Sequence, residues 1–219
     1  MIVVHGLGRS ALSMAVLTGR LRSAGFRATA FQYPSRRASI ATLTERLAAR
    51  VARSCAGRDS SVHFVTHSLG GILVWNYLAG TSGPHRGRVV MLSPPARGSE
   101  LADAFTDVPL LRSVLGPALT ELGTDPDSLV RRLPAADFEL GVITGDRSLN
   151  PLSDHLIPGP HDGKVSVERA RVPGATDFLV VPASHTFIMN RGDVAGQVVA
   201  FLRHGRFDTT SYGPTYPDV

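Results

Sequence analysis

Val62-His63-Phe64-Val65-Thr66-His67-Ser68-Leu69-Gly70-Gly71 is the stretch whose reading decides the fold. A run with strand character enters a sharp turn, and a helix begins directly after it, with Ser68 at the apex. The pattern is close to the strand–turn–helix signature G-x-S-x-G, with Thr66 at the place of the first glycine. A turn tight enough to lift the serine hydroxyl above a sheet brings the next helix close behind it. A Cβ would collide there, which accounts for Gly70 and Gly71. Backbone N–H groups of the first helical turn then favour negative charge beside the serine. Ser-x-Gly taken alone also fits a serine N-cap opening a helix. A reactive serine needs three companions: a glycine-rich loop early in the chain, an acid after a later strand, and a histidine after the last strand.

The flanking segments alternate strand and helix. Ile2-Val3-Val4 is continuously apolar, as expected of a parallel strand buried on both faces, and runs into His5-Gly6-Leu7-Gly8. A helix is expected over 10–24, with Leu12, Ala15, Val16 and Leu21 on one face and Gly25 as its stop. A strand over 26–33 ends at Pro34. Ser39 caps a helix over 39–56 in which Ile40, Leu43, Leu47 and Val51 recur at helical spacing, and Gly57 ends it. The helix from Ser68 to Ala79 is apolar nearly all round, so it is expected to be buried, with Trp75 in the core. A turn-rich loop over 80–87 precedes a strand over 88–93, which Pro94-Pro95 terminates. Residues 97–137 read as short leucine-rich helices broken by prolines 109, 117, 126 and 134. That insertion is too long for a simple connection and reads as a helical layer, a cover over a site, or both. A strand over 138–144 leads to Gly145-Asp146, then a loop over 147–163, a strand over 177–182 and Ala183-Ser184-His185. Asp193 is expected to cap a helix that ends at Gly205, and 206–219 read as a loose tail. The alternation predicts an α/β fold, with a parallel sheet of about six strands covered by helices on both faces. A single domain is expected over 1–205.

Bulk properties narrow the function classes. At 219 residues and 43% hydrophobic content the chain can bury a substantial core. No apolar run approaches the length of a membrane span, and no signal peptide is visible, so a cytoplasmic protein is expected. The single cysteine, Cys55, excludes an internal disulfide. The net charge is +5, yet Lys164 is the only lysine, and the arginines are spread along a chain also rich in alanine, glycine and proline. That pattern is a compositional bias, and no nucleic-acid partner is expected. His155, His161 and Asp162 share a loop but lack the short, regular spacing of a zinc motif. His-Gly-Leu-Gly lacks both G-x-G-x-x-G and a P-loop lysine. No metal and no cofactor are expected.

Acyl transfer needs a nucleophile, a base, a group that orients the base, and donors for the oxyanion. In a doubly wound sheet these gather at the carboxyl ends of strands. Ser68 is the candidate nucleophile. Of the eight histidines, His185 alone has both the chain order and the place of the base. His63 lies inside a strand, His85 in a loop and His204 at a helix end. His5, Gly6 and His67 flank the two key turns and are expected to shape the substrate site. The backbone N–H groups of Leu7 and Leu69 are the candidate oxyanion donors. Two acids qualify by position, Asp146 at a strand end and Asp162 further along the same loop.

Through His5-Gly6-Leu7-Gly8, Thr66-His67-Ser68-Leu69-Gly70-Gly71, Asp162-Gly163-Lys164-Val165 and His185, the chain resembles the small lipase and esterase branch of the α/β-hydrolase superfamily. The resemblance runs over almost the whole chain, with its motifs in the family's order. It implies a minimal α/β-hydrolase fold that starts at what would be the third strand of larger members. A motif like Asp-Gly-x-Val carries the triad acid in bacterial lipases, and here His185 follows 23 residues on, so the resemblance implies Asp162 over Asp146. Arg97-Gly98-Ser99 looks like the start of the lid region. The implied activity is hydrolysis of a small-molecule carboxylic ester through Ser68, His185, Asp162 and an acyl-enzyme. The leucine-rich insertion favours an apolar acyl part. The same triad also serves acyltransferases, thioesterases and amidases. A non-catalytic binding protein on this fold is usually marked by a lost triad member, and none is lost here.

Overall fold

The computed structural model describes residues 1–55, 61–81 and 86–211, without the side chains of Arg86 and Ser211. The expected helix stop at Gly57, residues 82–85 of the 80–87 loop with His85, and the tail over 212–219 lie outside the described residues. Six strands form one all-parallel sheet: β1 (Ile2–Val4), β2 (Thr29–Phe31), β3 (Val62–His67), β4 (Arg86–Leu92), β5 (Leu140–Gly145) and β6 (Asp177–Val181), in the order β2-β1-β3-β4-β5-β6. The order reverses between β1 and β3, so the loops after these two strands leave the sheet in opposite directions and open a crevice above it. The glycine-rich loop follows β1 and Ser68 follows β3, which brings both to that crevice.

Strand alternation divides the core into two layers. Ile2 and Val4 face α2 (Ile40–Cys55) and α3 (Leu69–Ala79). Val3, Val65, Val90 and Ile143 face α1 (Ala15–Ser23) and the C-terminal helix over 192–204. Both faces of the central strands are therefore buried, which accounts for apolar runs such as Ile2-Val3-Val4 and Val89-Val90-Met91-Leu92. The insertion over 97–137 contains α4 (Glu100–Thr106), α5 (Pro109–Leu115), α6 (Pro117–Thr120) and α7 (Leu129–Arg132). Ala102, Ala118, Leu119, Leu122 and Val130 join the α2–α3 layer. Glu121 accepts the Ile40 N–H at 2.6 Å, and ion pairs Arg97–Glu168 and Arg169–Glu100 tie the insertion to the segment after Gly163.

Several expectations need correction. Ala11–Met14 is a 3₁₀ turn, and it shifts the register of the helix that follows. The buried face of α1 is accordingly built from Met14, Leu17 and Leu21, while Leu12 is 81% exposed and Val16 48%. Strand β2 is three residues long instead of eight, because it is an edge strand whose one neighbour, β1, offers three residues to pair with. The 147–163 loop contains a helix, α8 (Pro151–Leu156), with Pro151 at its first position and Asn150 as a side-chain cap on Leu152 N–H. The last helix, α9 (Gly192–His204), starts from Arg191, with Asp193 inside its first turn, and Gly205 closes it at φ 74°. Residues 206–211 are not loose. Phe207 is buried against Phe201, and Asp208 and Gln197 exchange two hydrogen bonds. Among the described residues no helix is long and apolar enough to cross a membrane.

Candidate active site

Ser68 occupies the turn between β3 and α3 at φ 53°, ψ −126°, a backbone region that L-residues rarely adopt. The neighbouring glycines explain how it is held there. A Cβ on Gly70 would lie 2.7 Å from the carbonyl oxygens of Val4 and His5, so α3 begins pressed against β1. A Cβ on Gly71 would meet Thr66 Oγ1 at 3.2 Å and Met91 Sδ at 3.2 Å. The empty space at Gly71 is therefore what lets a threonine stand where the pattern has its first glycine. Gly6 backs the serine from the other side, since a Cβ there would lie 3.0 Å from both Ser68 Cβ and His67 Nδ1. Leu69 is the first residue of α3, so its N–H has no partner within the helix and lies next to the serine.

His185 follows β6 in a short loop. Its Nδ1 is 2.8 Å from Asp162 Oδ2, and its backbone N–H donates to Asp162 O at 2.9 Å. Asp162 is buried. Its other oxygen, Oδ1, accepts the N–H groups of Lys164 at 3.0 Å and Val165 at 2.9 Å. Gly163 at φ 96° makes the turn that presents them. Burial alone would raise the Asp162 pKa. The charge on His185, the bond to it and the Val165 N–H outweigh burial and hold the carboxyl below its ordinary value. Asp146, the other acid considered, lies beside Arg147 instead, at 3.4 Å.

Three of the residues expected to shape the site have distinct places. His67 is buried with its Nε2 donating to His185 O at 2.9 Å, and its ring lies 4.8 Å from the His185 ring. Burial, and then the charge of His185, lower its pKa well below the ordinary 6.5, so it stays neutral. His5 is fully buried and does not reach the cavity. Its Nδ1 donates to Gly6 O at 2.9 Å, and its ring stacks on Tyr33 at 4.1 Å, which fixes the glycine-rich loop from behind. Gly6 also contributes through backbone shape, as described above. His161 belongs to the same support, with its Nδ1 accepting the Gly163 N–H at 3.1 Å. Among the described residues no three potential metal ligands gather.

A cavity of about 110 Å³ opens above the crevice. Leu7, His67, Ser68, Val165 and His185 are among the residues that line it. Leu101, Phe105, Leu115, Leu119 and Leu122, all from the insertion, form an apolar wall. Arg9 and Lys164 also line it, and the sequence reading gives neither a role. A hydroxyl, an imidazole backed by a carboxylate and an unpaired helix N-terminus thus meet at one apolar chamber. Such a set can move a proton from an alcohol and stabilise a developing oxyanion.

A model of the alpha/beta hydrolase family matches residues 1–208. A search of curated proteins finds no match. Among solved structures, the mature form of lipase BlEst2 from Bacillus licheniformis superposes with a TM-score of 0.71 at 20% identity, covering 93% of this chain and 90% of that one. Phospholipase PlaB from Legionella pneumophila gives 0.72 at 16% identity, with 93% and 58% covered. The metagenomic carboxyl esterase MGS0156 gives 0.65 at 24% identity, with 85% and 64% covered. This chain spans less than two thirds of the last two. At such identities the resemblance is one of fold.

Proposed function

We propose, from the premise that this chain belongs to the alpha/beta hydrolase family, that it is a serine hydrolase of carboxylic esters. The observation that carries the reading is the Asp162–His185 pair at 2.8 Å, whose imidazole lines the same cavity as Ser68. In this mechanism the Ser68 hydroxyl attacks the ester carbonyl while His185 Nε2 takes its proton. Asp162 fixes the tautomer with hydrogen on Nδ1 and stabilises the imidazolium that forms. The N–H groups of Leu69 and Leu7 receive the oxyanion, each donor supplying roughly 3 kcal/mol of transition-state stabilisation. His185 then protonates the leaving alcohol, and water releases the acyl group by the same steps in reverse roles. The leucine wall of the insertion receives the acyl chain.

The test is active-site labelling and kinetics on p-nitrophenyl esters. A fluorophosphonate probe is expected to label the protein and not Ser68→Ala, which should lose about 10⁶ in kcat. Asp162→Asn should cost about 10³–10⁴, because the wrong tautomer is then presented, and Asp146→Asn less than about tenfold. Ordinary turnover by Ser68→Ala, or the reverse order of the two aspartates, overturns the assignment.

A further inference from the structure

The cavity is lined both by apolar side chains of the insertion and by two cations. Arg9 and Lys164 both line it, and among its described lining residues there is no carboxylate. Neither cation has an ion-pair partner among the described residues. Arg9 donates to the Thr186 carbonyl at 3.3 Å, which anchors its guanidinium beside the residue that follows His185. Lys164 comes two residues after Asp162, its backbone held by Asp162 Oδ1, and its side chain stands at the exposed outer rim. The Asp162 carboxylate is buried and hydrogen-bonded to His185 and two N–H groups, and its pull on Lys164 offsets only part of the opposing effects of burial and Arg9. Partial desolvation at this rim, and then the charge of Arg9, lower the Lys164 pKa below the ordinary 10.5. Two like charges that repel each other, with no carboxylate lining the cavity beside them, are stabilised by a bound anion.

The position of the pair says which part of a substrate it meets. The leaving alcohol must lie next to His185 to receive its proton, and both cations are anchored to the residues that flank or hold His185. The acyl chain has the leucines of the insertion. From this geometry we infer that the substrate is an amphiphilic ester with a phosphate or carboxylate on its alcohol side, bound by Arg9 and Lys164. The choice of the alcohol side rests on the serine-hydrolase reading, whereas the anion site itself does not.

Hydrolysis of 1-decanoylglycerol 3-phosphate is compared with that of 1-decanoylglycerol, and the decanoyl ester of glycolic acid separates phosphate from carboxylate. At low salt kcat/KM is expected to favour at least one anionic ester over the neutral one by about tenfold or more, since hydrogen bonds to charged groups are the strong ones. The advantage should shrink several-fold at 0.5 M salt, because the rim is open to solvent. Arg9→Gln and Lys164→Met should each cut the ratio by about three- to tenfold, and the double variant should bring it near one. A ratio of one or less in the wild-type protein, or a ratio unmoved by the double variant, overturns the inference. Calorimetric binding of decyl phosphate against decanol to Ser68→Ala gives a second readout that needs no turnover. Tighter binding of the phosphate, lost when Arg9→Gln and Lys164→Met are added, supports the site even where labelling of Ser68 fails. Equal binding rejects it even where labelling succeeds.

Discussion

Ser68 stands in a backbone conformation that costs of order 1–3 kcal/mol for an L-residue, and the surrounding glycines are the means by which the fold imposes it. Ser68→Gly is therefore expected to raise stability by up to about 1 kcal/mol in denaturant titration, while removing the hydroxyl and with it turnover. The converse holds for Gly70→Ala. Its Cβ would meet two carbonyl oxygens of β1 at 2.7 Å, backbone atoms that cannot swing aside, so a loss of about 1–3 kcal/mol is expected. Gly6→Ala presses on Ser68 Cβ and His67 Nδ1, and should lower kcat about tenfold or more with a smaller change in melting temperature. These roles were legible in the sequence at Ser68, Gly70 and Gly71, because a tight strand–turn–helix leaves so few residue types. The reach of His5 was not legible, since adjacency to a turn does not reveal toward which side of the loop a ring points. Nor were the roles of Arg9 and Lys164 legible, although Lys164 is the one lysine of the chain.

Among elements, the insertion and the Asp162 loop act as one unit. Ser99 caps α4 through Ala102 N–H, and its hydroxyl donates to Lys164 O at 2.8 Å, so one side chain joins the apolar wall to the loop that carries the acid. Ser99→Ala should cost about 1–2 kcal/mol, seen as a lower denaturant midpoint. The long amphipathic α2 and the largely apolar α3 were legible because packing and sequence pattern agree in them. The α1 face was misjudged because a 3₁₀ turn advances the chain by about 120° per residue instead of 100°, and no residue between 10 and 14 announces that change. Helix α8 was hidden by its own proline, which reads as a breaker until Asn150 is seen to cap it. Strand β2 was overestimated because strand length is set by the partner, and the partner is not local in sequence.

For the molecule as a whole, buried neutral histidines tie stability to pH. His5, His63 and His67 all have pKa values lowered by burial, His67 most of all, with the nearby positive charges of His185, Lys164 and Arg9 adding to it. Below the ordinary 6.5 the unfolded chain takes up protons that the folded chain refuses, so stability falls as pH falls. The loss approaches about 1.4 kcal/mol per pH unit for the fully buried His67 and is smaller for the others. The melting temperature is expected to drop steadily from pH 7 to pH 5, and His67→Gln should flatten that slope even if it lowers the plateau. The lowered Asp162 pKa contributes in the same direction further down. Its stabilisation is complete above the ordinary 3.8 and is lost as pH falls through the lowered value. The six-strand order was legible as alternation, and the reversal between β1 and β3 supplies the crevice that alternation alone does not locate. A last consequence comes from Phe207, whose ring fills the space above Gly141 so closely that a methyl group there would sit 2.6 Å from Cζ. Strand β5 is glycine at that point because an aromatic plug from far downstream takes the volume a side chain would need. Anyone trimming this enzyme to a smaller scaffold should keep the chain through residue 208, since a cut at Gly205 would leave a ring-sized hole behind the strand that leads toward Asp162.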